Sequence, residues 1–195
     1  LKPNIAVLCS GEGTNLKAIL RAVGSGCLKA RVAVVISDRP RAYALVRARQ
    51  ANVPAVVLDP RRYRSRQAFD RALANVVDHF HVRLIVLAGF MRILSAWFVR
   101  RYRGRILNIH PALLPAFPGA HAVRDALKKG VRVTGVTIHF VDEQVDHGPI
   151  VAQEPVVVRS DDTEASLLKR IHRVEHRLYP KVIQAVLSGK VSFPS

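Results

Sequence analysis

Acidic residues are scarce in this chain. Its 195 residues hold 14 Asp and Glu against 31 Lys and Arg, a formal net charge of +17 at pH 7, with an isoelectric point of about 11.1. Cysteine is scarcer still. Cys9 and Cys27 are the only two, and they have no metal-ligand spacing. A chain of this size with a good apolar core does not need a disulfide framework. Cys9 ends an apolar run and is expected to pack there, because no activating base neighbours it. No apolar run approaches the ~20 residues of a bilayer span, and the opening run from Asn4 to Cys9 is too short for a signal peptide. With 49% hydrophobic residues and no repeat, low-complexity tract or linker, residues 1–195 read as one soluble, cytoplasmic domain with its own core.

The excess of positive charge is mostly arginine, concentrated in Arg61-Arg62-Tyr63-Arg64-Ser65-Arg66 and Arg100-Arg101-Tyr102-Arg103-Gly104-Arg105. Three readings stand: solvated helix faces and loops, steering of anionic ligands, or contact with nucleic acid.

Apolar β-branched runs alternate with helical spacing. Asn4–Cys9, Val32–Ile36, Ala55–Leu58 and Leu84–Ala88 read as strands, and Thr14–Val23, Tyr43–Ala51 and Gln67–Phe80 as helices. Near-continuous apolar strands separated by helices imply an α/β fold, Rossmann-like, with a mostly parallel central sheet covered on both faces. The second half is less regular. Pro111, Pro115 and Pro118 make a rigid loop in which Leu114-Pro115 is the best candidate for a cis bond. A helix from Ala122 to Lys129 should stop at Gly130, followed by strands Val133–Val141 and Pro149–Val158. The last helix should be capped by Asp161 with Glu164 as its reciprocal partner. It should bury Leu167, Ile171, Val174 and Leu178, kink or break at Pro180 and end at Gly189.

Chemistry concentrates in three places. Ile106-Leu107 leads into Asn108-Ile109-His110-Pro111. Side chains two apart on a strand share a face, so Asn108 and His110 should emerge together, an amide and an imidazole able to stabilise charge and move a proton. After a later strand comes Asp142-Glu143-Gln144-Val145-Asp146-His147-Gly148-Pro149. A carboxylate there should orient the imidazole and raise its pKa. Thirdly, Ser10-Gly11-Glu12-Gly13-Thr14-Asn15 joins a strand to a helix. Exposed N–H groups at such a helix start attract phosphate. Leu16 stands where the dinucleotide pattern wants a third glycine, and the Walker lysine is missing, so a mononucleotide phosphate fits better than NAD or ATP. The histidines match no zinc pattern, and no metal is expected.

Asn108-Ile109-His110-Pro111-Ala112-Leu113-Leu114-Pro115, Pro118-Gly119 and Asp146-His147-Gly148-Pro149, together with the Ser10–Asn15 loop and Leu87-Ala88-Gly89-Phe90-Met91-Arg92-Ile93-Leu94, resemble the core of the folate-dependent formyltransferases. The match is to the branch that formylates glycinamide ribonucleotide, and it extends to Glu175-His176 and Tyr179-Pro180. The resemblance implies that Asn108, His110 and Asp146 are catalytic and that His139 lies nearby. Gly13, Thr14 and Asn15 would hold the substrate phosphate, and His172 and Glu175 its ribose or glycinamide end. Arg66, Met91, Arg92, Ile93, Leu94, Asp142, Glu143, Gln144 and Val145 would hold 10-formyltetrahydrofolate, Arg66 at the folate tail. It implies a monomer or homodimer with small-molecule partners, no metal, no membrane and no nucleic acid. Rival readings are a formyltetrahydrofolate deformylase, a methionyl-tRNA formyltransferase, or a basic nucleic-acid-binding module. The first two are disfavoured by the expectation that the former carries an added N-terminal regulatory domain and the latter a C-terminal tRNA-binding domain.

A carboxylate beside a phosphate is repulsive unless it faces solvent, so Glu12 should point outward. Glu12→Gln is expected to leave KM for the phosphate-bearing substrate nearly unchanged in steady-state assays; a drop of about tenfold would contradict it.

Overall fold

A computed structural model describes residues 2–194. Seven strands form one sheet: β1 (Asn4–Leu8), β2 (Arg31–Ser37), β3 (Ala55–Val57), β4 (Leu84–Leu87), β5 (Ile106–His110), β6 (Val133–Phe140) and β7 (Ile150–Val157). Their order is β3-β2-β1-β4-β5-β6-β7. The first five pair in parallel, and β6 and β7 run antiparallel. Six helices intervene: α1 (Thr14–Gly24), α2 (Tyr43–Gln50), α3 (Arg66–His79), α4 (Ala96–Arg101), α5 (Ala122–Lys129) and α6 (Glu164–Leu187). This is the α/β, mostly parallel architecture that the alternating runs imply.

Both faces of the sheet are covered, which is why its strands read as unbroken apolar runs. In β1 and just beyond it, Ile5, Val7 and Cys9 join a core with α1 and α6. Ala6 and Leu8 face the other way, into a core built with α3 and α4. Burial pushes the Cys9 thiol up to about 12, while Cys27 is exposed. In β5 the same two-residue period gives Leu107 and Ile109 to the first core and Ile106 to the second. Asn108 and His110 therefore follow Ile106 onto one face, at the carboxyl end of the strand.

The connections turn opposite ways on either side of β1, which lies between β2 and β4. Open α/β sheets gather ligands at the carboxyl ends of strands flanking such a reversal. The loops following β1, β4 and β5 all emerge there.

Several features differ from expectation. Helix α4 is only six residues long, too short to show a period, and its start is capped by Ser95, whose Oγ accepts from Phe98 N at 3.3 Å. The arginine run that follows is put to local use: Arg101 pairs with Asp78 at 2.7 Å, and Arg105 Nε donates to Arg83 O at 3.2 Å. The cap of α6 is Thr163 rather than Asp161. Thr163 Oγ1 accepts from Ser166 N at 3.1 Å, and Ser166 Oγ accepts from Thr163 N at 3.0 Å. The box sits two residues later because Asp162, beside Thr163, takes the Ser166 hydroxyl at 2.6 Å and the Arg170 guanidinium.

Pro180 lies inside α6 without interrupting it. A helix-interior proline costs ~3 kcal/mol, and the buried side chains around it offset that cost. Tyr179 Oη donates to Leu87 O at 2.9 Å and Leu107 O at 3.0 Å, fastening α6 to β4 and β5, and Val182 and Ile183 are buried just beyond. Leu167 and Ile171 are buried as expected, Val174 and Leu178 only partly; Gly189 follows the helix end with φ 76°. The Leu114–Pro115 bond is cis. Among the described residues no helix is long and apolar enough to cross a membrane, and side-chain carboxylates pair with only six arginines: 61, 100, 101, 124, 170 and 177.

Gly135 in β6 has no room for a side chain. A Cβ there would run into the Glu154 carbonyl of β7 and come within 2.6 Å of Leu113 Cδ2. Gly135→Ala should destabilise the protein by about 1–3 kcal/mol through overpacking, read as a lowered denaturant midpoint.

Candidate active site

Asn108, His110 and Asp146 come together in the wall of a cleft of about 310 Å³, within the range of small-molecule sites. Asp146 arrives from the loop between β6 and β7. Its backbone is left-handed, φ 51°, a conformation aspartate tolerates better than most residues, and the carboxylate turns inward. Asp146 Oδ2 accepts from Gly119 N at 2.7 Å, and Oδ1 accepts from Asn108 Nδ2 at 3.3 Å. His110 Nδ1 stands 3.4 Å from Asp146 Oδ2.

The hydrogen-bond pattern assigns the tautomers. His139 Nδ1 is 2.8 Å from the Phe140 carbonyl, which can only accept, so that nitrogen carries the hydrogen. His139 Nε2 is then free to accept from Asn108 Nδ2 at 3.2 Å. His110 Nε2 lies 2.7 Å from Phe117 O and likewise carries hydrogen. In the neutral ring His110 Nδ1 is left as a lone pair facing the Asp146 carboxylate, which is where an added proton would be held.

Whether that proton is present follows from two opposed effects. Burial lowers the pKa of His110, while Asp146 and the Phe117 carbonyl raise it; burial wins, and the net shift is downward. The carboxylate pulls in the expected direction, but the net pKa is not raised, because the ring is only 4% exposed and a buried cation is costly. Burial pushes Asp146 up, but His139, the Gly119 N–H and His110 together outweigh it and hold the carboxyl below its ordinary value.

The expected folate residues form the cleft walls. Met91, Arg92, Ile93 and Leu94 lie on one side and Asp142, Glu143, Gln144 and Val145 on the other. Met91 and Ile93 are 58% and 59% exposed, so apolar surface is offered to whatever enters. The 142–148 loop is closed by Asp142 Oδ2 and His147 Nδ1 at 2.7 Å and tied to α4 by Arg100 and Glu143 at 3.1 Å. Arg66 is outside the cleft lining. Its guanidinium donates to the Leu94 carbonyl, so it supports the wall.

The phosphate loop and α6 make a second group. Gly13 precedes α1 with φ 67°, and no side chain caps the helix, which leaves the first-turn N–H groups of Thr14, Asn15 and Leu16 open. The glycine is sterically required: a Cβ would lie 2.8 Å from Ala44 Cβ and 2.9 Å from Ala44 Cα. Glu12 is exposed, and its carbonyl accepts from Arg47 Nε at 2.8 Å. Asn15 Nδ2 donates to Glu175 Oε2 at 2.8 Å, and His172 Nε2 is 3.9 Å from the same oxygen. Burial raises the Glu175 pKa against the opposing pull of Asn15 and His172. Asn15 Oδ1 is buried without a protein partner. Neither group lines the cleft. They meet it through Ser10, whose N–H donates to Gly89 O at 2.9 Å and whose Oγ accepts from Met91 N at 2.8 Å. Sequence reasoning missed Ser10, the Phe117 carbonyl and the Gly119 N–H. Only the dense prolines around 111–118 signalled that backbone there is held for use.

The chain thus sets a polar triad in an apolar cleft and an open helix N-terminus at the reversal of the same α/β sheet. Comparison gives its family: residues 3–183 match the formyl transferase family, and the chain belongs to it. The trifunctional purine biosynthetic protein adenosine-3 of Gallus gallus is 47% identical over 97% of this chain, which spans 19% of that protein. The chain thus covers about a fifth of such trifunctional relatives. The phosphoribosylglycinamide formyltransferase of Escherichia coli (strain K12) is 43% identical over 96% of this chain and 89% of its own length. The crystal structure of glycinamide ribonucleotide transformylase 1 from Symbiobacterium toebii superposes with a TM-score of 0.97 at 49% identity, covering all of this chain and 92% of that one.

His110 also predicts a pH dependence. Its pKa is lower in the native state, so the unfolded chain takes up a proton below pH ~6.5 that the folded protein refuses. Half-buried His176 is shifted the same way. Stability is full above that pH and should decline as the solution is acidified toward pH ~5. His110→Asn should flatten the decline, as read from denaturant midpoints at the two pH values.

Proposed function

We propose that this chain transfers the formyl group of 10-formyltetrahydrofolate to the amine of glycinamide ribonucleotide, the step by which purine synthesis gains a one-carbon unit. The observation that carries this reading is the convergence of Asn108, His110 and Asp146 in a cleft with largely apolar walls. Its match to phosphoribosylglycinamide formyltransferases over nearly the whole chain supports it. The pterin ring system lies between Met91–Leu94 and the 142–145 segment. The nucleotide phosphate sits on the open N–H groups after Gly13, with Thr14 and Asn15 beside it. Glu175 and His172 meet the ribose or glycinamide end.

The amine nitrogen attacks the formyl carbon, and the carbonyl oxygen takes up negative charge. Asn108 Nδ2 reaches that oxygen by releasing its longer bond, the 3.3 Å contact with Asp146. His110 starts neutral, as its burial dictates. Nδ1 accepts the proton lost by the amine, and the resulting imidazolium is stabilised by Asp146 Oδ2. The same proton then passes to the folate nitrogen as its bond to the formyl carbon breaks. No covalent enzyme intermediate is required. The lowered pKa suits this order, because a ring that begins unprotonated can act first as base and then as acid.

The test is to mix the protein with 10-formyltetrahydrofolate and follow folate release with and without glycinamide ribonucleotide. Release should depend on the nucleotide; release in its absence would mark a deformylase. Asp146→Asn and His110→Ala should each cut kcat by ~10²–10³ with folding retained by circular dichroism. Near-full turnover in Asp146→Asn would remove the carboxylate from the mechanism.

A further inference from the structure

Two buried carboxylates take no part in that chemistry, and both hold the same piece of backbone. Asp38 follows β2 and is 6% exposed; Asp70 lies on α3 and is 1% exposed. Asp70 Oδ2 accepts from Ser95 N at 2.6 Å. One helical turn earlier, Arg66 donates to the Leu94 carbonyl. Between them Phe69 presents its ring to the Arg92 guanidinium, 4.6 Å from the centroid. Three residues on the first turns of α3 thus grip the far end of the segment 89–95.

The near end is held by Ser10. Its hydroxyl donates to Asp38 Oδ1 at 2.6 Å while accepting from Met91 N at 2.8 Å, and its own N–H meets the Gly89 carbonyl. Asp38 fixes the direction of the Ser10 hydroxyl: a hydroxyl committed as donor to a carboxylate turns its lone pairs toward Met91. The segment crosses the cleft mouth carrying the exposed side chains of Met91 and Ile93. A loop of that kind has little packing of its own to hold it, and an apolar ligand ring can use it only if the backbone is already in place.

We propose that Ser10, backed by Asp38, and Asp70 are positioning residues that pin both ends of the 89–95 segment and so pre-form the folate wall of the cleft. The ligand assignment rests on the functional reading above. The pinning itself does not, and the two are tested by different readouts.

The ligand-free readout is amide hydrogen exchange. Losing a buried hydrogen bond to a charged or charge-backed acceptor corresponds to about tenfold or more in local opening. Exchange at Met91 should quicken by about that factor in Ser10→Ala, and exchange at Ser95 in Asp70→Ala, while Asp70→Asn, which keeps an acceptor, should stay near wild type. In steady-state assays Ser10→Ala and Asp70→Ala should raise KM for the formyl-folate about tenfold, and in Asp70→Ala KM for the nucleotide should change less than about twofold with kcat largely kept. Unchanged exchange at both amides would overturn the proposal, as would an equal rise in both KM values in Asp70→Ala. Ser10→Ala is close to isosteric and carries the test alone if Asp70→Ala does not fold. Absence of nucleotide-dependent formyl transfer by the wild-type protein would sink the functional reading and leave the exchange result standing.

Discussion

One carboxylate holds three distant pieces of chain in register. Asp146 receives the Gly119 N–H from the proline-rich loop and the Asn108 amide from β5, and lies across from His110 of the same strand. A buried charge of this kind is tolerated only when every neighbour serves it. The requirement runs outward. Asn108 must also satisfy His139, whose other nitrogen must find the Phe140 carbonyl. The proline loop must reach the site, and it is fastened for that purpose by Thr137 Oγ1, which accepts from Leu114 N at 3.0 Å and donates to Ala112 O at 2.7 Å. Removing the carboxylate would therefore loosen the loop as well as the chemistry.

The sheet supplies what this network cannot, a fixed platform. Parallel strands buried on both faces bring the ends of β1, β4 and β5 to one rim, and Tyr179 ties α6 to two of those ends. Glu175 lies one turn before Tyr179, so the helix that closes the first core also delivers a buried acid to Asn15. Burial pushes both acids up, but the net shifts run in opposite directions. Glu175, with few donors, is raised; Asp146, with several, is lowered. Similar side chains are given different protonation behaviour by the number of partners each is allowed.

Much of this was legible in the order of residues. The apolar runs foretold the strands, and the two-residue spacing of Asn108 and His110 placed them on one face. The glycines before α1 marked the open helix start. What stayed hidden depended on separations the chain order does not encode. The direction of the His110 shift is a contest between burial and a neighbouring charge, and only the depth of the ring decides it. Arg66 was singled out by resemblance alone, and chain order gave no sign that its guanidinium also donates to the Leu94 carbonyl. Helix α4 was concealed by its brevity among arginines. Ser10, one of several small residues in a turn, gave no sign of its link to Met91, 81 positions away.

The two cysteines differ in a way that makes the molecule report on itself. Cys9 is sealed at the end of β1 with its thiol pushed up to about 12, while Cys27 is exposed just beyond α1. A maleimide dye should consequently tag one site per intact chain, close to the helix that opens on the phosphate loop. Appearance of a second tag would register loss of the central strand's enclosure, giving a covalent count of breached molecules.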